Sequence, residues 1–237
     1  PKVKAVGFTG SIAGGRSLYN LAAERAEPIP VFAEMGSINP VVILPNAIAK
    51  KGAKIATTYA GSITLGSGQF CTNPGLLLTI AGQRADMFIK DLGEKTANIV
   101  AQCMLHPSIK DSFVSNRKLV SSQAGVETVG EVSGEIAPNF AAAQICAVSG
   151  SDFLANSKMH TEVFGPFSMV VKCKNEEELI KVIENLEGQL TGTILAEKED
   201  FNSLSAVADA LQDRVGRIIF NGVPTGVEVC ESMTHGG

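Results

Sequence analysis

Apolar positions along the chain fall into short runs separated by longer stretches of helical period, and the two kinds alternate. Val3-Lys4-Ala5-Val6-Gly7-Phe8 predicts a short strand, and Ile12 to about Arg25, with Leu18, Leu21 and Ala22 on one side, predicts a helix. Pro28 and Pro30 break that helix, and Val31-Phe32-Ala33 predicts a second strand running into Glu34-Met35-Gly36-Ser37. Val41 to Leu44 reads as strand and Ala47 to about Leu65 as helix, with Lys50, Lys51 and Lys54 on its solvated face. Strands follow at Leu76 to Ile80, Glu127 to Val132, Ala142 to Val148, Phe167 to Lys172, Thr191 to Leu195 and Arg217 to Phe220. Helices fall at about Arg84 to Met104, Ser108 to Ser121, Glu176 to Leu186 and Phe201 to Arg214. Interleaving of this kind predicts an α/β fold with a largely parallel sheet flanked by helices. Two hydrophobic units joined near Glu34 to Pro40 account for the length.

Composition narrows the function classes. The 237 residues are 45% hydrophobic, ample for a core. Twenty Lys and Arg against 24 Asp and Glu give a net charge of −4, and no basic block is present to track a phosphate backbone, so nucleic acid is not an expected partner. No apolar run approaches the roughly 20 residues of a membrane span, and the first residues lack a secretory h-region, so the expected location is the cytoplasm. Cys71, Cys103, Cys146, Cys173 and Cys230 are widely spaced, without C-x-x-C or clustered histidine. Reduced thiols are therefore expected, rather than a disulfide framework or a metal site. The chain starts in a strand without an initiator Met and stops at Thr234-His235-Gly236-Gly237, which reads as a fragment.

Candidate chemistry centres on Gly66-Ser67-Gly68-Gln69-Phe70-Cys71-Thr72-Asn73-Pro74-Gly75, between a helix and a strand. Glycines here permit unusual backbone angles and leave room for a substrate, so Cys71 is either an approachable nucleophile or a small buried hydrophobe. Gly10 and Ser11 open the first helix, where free N–H groups favour an anion; a plain structural turn would look the same. Glu34 ends a strand, a common position for ligand groups in open α/β sheets, though solvated glutamates are common too. Glu162 and Phe164 lie two apart ahead of a strand, so an acid and a ring point one way and could grip a ribose and its base; a packed loop is the alternative. Asn221-Gly222-Val223-Pro224-Thr225-Gly226 is a turn-rich loop expected on the same strand-end side as Cys71. His106, His160 and His235 show no interpretable spacing to Cys71.

Taken jointly, Gly7-Phe8-Thr9-Gly10-Ser11, Glu34-Met35-Gly36-Ser37-Ile38-Asn39-Pro40, Gly68-Gln69-Phe70-Cys71, Glu162-Val163-Phe164-Gly165-Pro166 and Asn221 to Gly226 resemble the aldehyde dehydrogenase superfamily in order and separation. The resemblance covers essentially the whole chain but only the second half of such an enzyme. Phe70-Cys71-Thr72-Asn73-Pro74-Gly75 is similar to the branch of 2-oxoglutarate semialdehyde dehydrogenases and NADP-dependent bacterial fatty aldehyde dehydrogenases, as is the extension Pro224 to Val229. Ser37 stands where many members have a second Gly, and the Arg common after the cysteine elsewhere is absent.

The resemblance implies residues 1–34 as the last strand-helix-strand of a Rossmann-type cofactor domain and 35–237 as a catalytic domain that stops before the oligomerisation segment. It implies Cys71 as nucleophile, Glu34 as the base that hydrolyses the thioester, Glu162 on the nicotinamide ribose, Phe164 near the nicotinamide, and Gly10 and Ser11 near the pyrophosphate. NADP, or NAD, is the implied cofactor, a semialdehyde the implied substrate, and a homo-dimer or homo-tetramer the implied assembly. An oxyanion-site Asn and an adenosine-ribose Lys belong to the family's earlier half. The expectation is thus a fastest thiol at Cys71, convergence of Glu34 with Cys71, and weak esterase but little dehydrogenase activity from this chain alone. A non-catalytic interaction module and a cysteine hydrolase or acyltransferase are the competing classes.

Overall fold

Alternate burial along the strands explains the architecture. In a computed structural model describing residues 2–226 and 230–233, Val41, Ile43, Leu77, Ile145, Ala147 and Val170 are buried in one apolar cluster. Their neighbours Val42, Leu76, Leu78, Cys146, Val148, Met169 and Val171 are buried in another. Successive side chains of a strand point to opposite faces, so two clusters split this way mean a sheet covered on both sides. The chain divides into two compact units, Pro1–Ser37 and Ile38–Gly237.

The first unit is β1 (Val6–Thr9), α1 (Ile12–Ala23) and β2 (Val31–Glu34), with β1 and β2 parallel and Thr9 opposite Glu34. Ser11 caps α1, its hydroxyl accepting from the Gly14 N–H at 3.2 Å.

In the second unit come β3 (Pro40–Ile43), α2 (Pro45–Thr64), β4 (Leu76–Ile80), α3 (Gln83–Ala97), β5 (Gln102–Cys103) and α4 (Pro107–Ser121). They are followed by β6 (Glu127–Glu131), β7 (Phe140–Ala141), β8 (Gln144–Ser149), α5 (Gly150–Ala155), β9 (Phe167–Cys173), α6 (Glu176–Glu184), β10 (Gln189–Leu195), α7 (Phe201–Gln212) and β11 (Val215–Phe220). Seven strands make one sheet in the order β11-β10-β3-β4-β9-β8-β6, parallel except for β6 against β8. β5 and β7 form a separate antiparallel pair. Helices α2 and α3 cover one face through residues such as Tyr59, Ile63, Phe88 and Leu92. Helices α4 to α7 cover the other through Phe113, Phe153, Leu179 and Leu211.

Two expectations change, and one short helix is added. Helix α3 ends at Ala97 rather than near Met104, because Asn98 bonds back, its N–H to the Lys95 and Thr96 carbonyls and its side chain to the Glu94 carbonyl, freeing Gln102–Cys103 to form β5. Helix α5, capped by Ser149, was too short to show a period. The Asn221 loop leaves the carboxyl end of β11, whereas Cys71 lies just before the amino end of β4, so the two begin at opposite edges of a parallel sheet. The loop then follows α2: the Tyr59 hydroxyl donates to the Gly222 carbonyl at 2.9 Å, and the Ser62 and Thr225 hydroxyls pair at 2.7 Å. These contacts climb one turn toward the end of α2 that delivers Cys71. The extension at 227–229 and His235, within 234–237, lie outside the described residues. No helix among the described residues is long and apolar enough to cross a membrane.

Candidate active site

Cys71 is exposed on a turn whose backbone is held from several directions. After α2 the chain takes three consecutive left-handed residues, Gly66 at φ 54°, Ser67 at φ 58° and Gly68 at φ 65°. Ser67 is the costly one, since a side chain disfavours that region, and it is compensated by bonds. Its N–H donates to Gln102 Oε1 at 2.9 Å, and its hydroxyl lies 3.4 Å from the Gln102 carbonyl. One step on, Gln69 Oε1 accepts from the Leu105 N–H at 3.1 Å, so β5 and the residues after it form an outer brace.

The inner brace is Asn39, at the entry to β3 and only 1% exposed. Its Nδ2 donates to the Cys71 carbonyl at 2.8 Å and to the Asn73 carbonyl at 2.9 Å, while its Oδ1 accepts from the Thr191 hydroxyl at 3.0 Å. Gln189 Oε1 in turn accepts from the N–H groups of Ile38 (2.6 Å) and Asn39 (3.3 Å). The sequence alone assigns no role to Asn39, Gln189, Thr191 or Gln102. The local signal at Asn39 was a polar residue at φ 45° before a buried strand.

A third brace joins the cysteine turn to the Glu162 segment. Asn73 Nδ2 donates to the Gly165 carbonyl at 3.1 Å, and Gly68 packs against the Gly165-Pro166 backbone. Phe113 of α4 presses on Gly165 from the far side, and Asn116 donates to the Glu162 carbonyl at 3.0 Å. Glu162 and Phe164 are both half-buried on this segment.

In the first unit Glu34 ends β2, half-buried, with its carbonyl accepting from the Gly10 N–H at 3.0 Å. The Gly10 N–H is therefore committed within the unit. The Phe8 ring occupies the space beside Gly10 and Gly14, which gives those glycines a packing reason. No carboxylate lies in the first turn of α1, so its positive end is not neutralised by its own side chains.

The remaining thiols and histidines have other surroundings. Burial pushes the Cys146 thiol up to about 11 and the Cys173 thiol up to about 12. Exposed Cys230 is pushed down by hydrogen bonds from Ser232. His106 caps α4 by accepting from the Ser108 N–H, and His160 stacks on Phe153 with ring centroids 4.3 Å apart, its pKa lowered by burial. Among the described residues, no three His, Cys, Asp or Glu side chains cluster as metal ligands.

The chain is 44% identical over its full length to alpha-ketoglutaric semialdehyde dehydrogenase 2 of Azospirillum brasilense and 39% identical to alpha-ketoglutaric semialdehyde dehydrogenase of Acinetobacter baylyi. It spans 45% of each of these curated relatives. Among solved structures, 1-pyrroline-5-carboxylate dehydrogenase superposes on 99% of this chain and 46% of its own at a TM-score of 0.76 and 19% identity. A salicylaldehyde dehydrogenase from Pseudomonas putida G7 covers 96% of this chain and 46% of its own at 0.75 and 22% identity, a likeness of fold. The model of the aldehyde dehydrogenase family matches residues 1–237, and the chain belongs to that family.

Proposed function

We propose that this chain carries the nucleophile and the hydrolytic base of an NAD(P)-dependent dehydrogenase that oxidises 2-oxoglutarate semialdehyde to its dicarboxylate. The observation that carries the reading is an exposed thiol on a turn fixed at Ser67, Gln69, Cys71 and Asn73. The substrate is taken from the two relatives named for it.

In this reading the Cys71 thiolate attacks the aldehyde carbon, and the charge that develops on oxygen is met by the Cys71 N–H. NAD(P), when bound, supplies the hydride acceptor. The uncancelled positive end of α1 suits its pyrophosphate, with Gly10 and Ser11 alongside. Glu162 would bind the nicotinamide ribose and Phe164 would pack near the ring. The oxidised product is a Cys71 thioester, and Glu34 takes a proton from the water that hydrolyses it. NADP is preferred to NAD on likeness to the branch, and a homo-dimer or homo-tetramer in the cytoplasm completes the proposal.

The test follows NADPH and NADH formation with the semialdehyde in the protein carrying this chain. Cys71→Ala abolishes reduction with either cofactor. Glu34→Gln keeps a single-turnover burst and slows steady turnover, because acylation survives and hydrolysis fails. A Cys71→Ala variant that still reduces the cofactor, or a Glu34→Gln variant with wild-type steady turnover, would overturn the corresponding role. Acylation of Cys71 without any cofactor reduction would favour a hydrolase or acyltransferase.

A further inference from the structure

We propose that Asn39 is a positioning residue for Cys71, its side-chain amide holding the peptide so that the thiol and the Cys71 N–H address one carbonyl group. The inference rests on the reading of Cys71 as the nucleophile.

The geometry has three parts. The Asn39 amide donates to two carbonyls of the reacting turn, at Cys71 and at Asn73, so it bridges the residue that attacks and the residue two further on. Fixing the carbonyl of Cys71 fixes the rotation of its backbone, and with it the direction of the Cα–Cβ bond. The amide cannot turn over, because its oxygen is already committed to the Thr191 hydroxyl, a group with 0% exposure on the neighbouring strand. Reversal would set the amide oxygen against two carbonyls and an N–H₂ against a hydroxyl that must then reorient. The backbone that carries the amide is held in its left-handed conformation, φ 45°, by Gln189 Oε1, which accepts from both Ile38 and Asn39. Asn tolerates that conformation better than most residues do. These parts come from two strand entries about 150 positions apart, and they meet at a single turn.

A structural role alone would make these bonds hold the turn together without aligning it. The two roles separate by comparing two reactions of the same sulfur. Alkylation by iodoacetamide needs only an accessible thiolate. Acylation by p-nitrophenyl acetate also builds negative charge on the carbonyl oxygen, so it draws on the N–H as well. The ratio of acylation to alkylation at Cys71, read by peptide mapping on this chain, therefore reports alignment.

Asn39→Gly accepts the positive φ and removes both donations without adding a charge. It is expected to lower the ratio about tenfold or more, the scale of modest misplacement of reacting groups, while alkylation changes little. Thr191→Val lowers it in the same direction, and Thr191→Ser, which keeps the hydroxyl, stays near wild type. An Asn39→Gly chain that is folded and has the wild-type ratio overturns the proposal, as does a parallel loss of both reactions. If the wild-type chain leaves Cys71 unacylated, the nucleophile reading itself falls and takes this inference with it.

Discussion

Gly68 and Gly165 meet backbone to backbone: a side-chain carbon at Gly68 would run into the Gly165 carbonyl. Neither partner has a side chain that could swing aside. Gly68 also sits at φ 65°, so Gly68→Ala adds a clash to backbone strain. The variant is expected to lose about 2–4 kcal/mol in denaturant unfolding, the sum of overpacking and a disfavoured left-handed residue. Unchanged stability would mean that the two segments are not in contact.

Thiol labelling gives a second expectation. Brief alkylation near neutral pH marks Cys71, Cys103 and Cys230, which are exposed, and spares Cys146 and Cys173, which burial keeps protonated. Cys230, pushed down by Ser232, is the rival that Cys71 must outrun to be the fastest thiol. Early label on Cys146 or Cys173 would contradict the buried strands β8 and β9.

The same two thiols set an alkaline limit. Unfolding returns them to an ordinary value of 9.0, against about 11 and about 12 in the fold. Below 9.0 both states keep the protons and the full stability is present; above it the unfolded chain ionises first, so stability falls as pH rises through the folded values. Each pH unit crossed removes up to about 1.4 kcal/mol per thiol. Tyr59 has the same sign, its phenol raised by burial. Urea unfolding from about pH 8 to about pH 11 measures the decline, and Cys146→Ala with Cys173→Ala should flatten it. A wild-type profile already flat would refute the assignment.

The loop 221–226 is fastened to α2 by Tyr59 and Ser62. Tyr59→Phe leaves the Gly222 carbonyl without that donor and Ser62→Ala leaves Thr225 without its hydroxyl partner, each costing about 1 kcal/mol. Hydrogen exchange should quicken across 222–226 while β10 keeps its protection. Equal exchange in the double variant would show that the loop is held by other contacts.

Sequence pattern located most strands well because burial on both faces leaves a short apolar run with clear stops. Leu76–Ile80, framed by Pro74-Gly75 and Ala81-Gly82, was expected and is found at the same limits. Helix α3 was overextended because apolar spacing continues through Ile99 and Met104, and the stop is a set of bonds from Asn98 rather than a break in pattern. Within the candidate site, Cys71 and its glycines stood out locally. From the local sequence Gly68 offers room for a substrate, whereas its contact is with Gly165, 97 positions later (165 − 68). Asn39, Thr191 and Gln189 are ordinary polar letters in strand-like text, and pairing across strands that are distant in sequence leaves no local mark.

The amino edge of the parallel sheet works as a measuring datum. Asn39 enters β3, Cys71 precedes β4, Gly165 precedes β9 and Thr191 lies near the start of β10, so their spacing is set by strand register rather than by loop length. Parallel registers such as Pro40 with Leu76 and Leu76 with Met169 hold that spacing from the interior of the fold. Connections at the other rim, such as Ala81-Gly82 after β4 and Lys174 after β9, carry none of this calibration. A peptide tag or fluorescent reporter grafted at Ala81-Gly82 should therefore leave the Asn39 to Cys71 gauge intact, while one residue inserted between Asn39 and Val41 would throw it out of true.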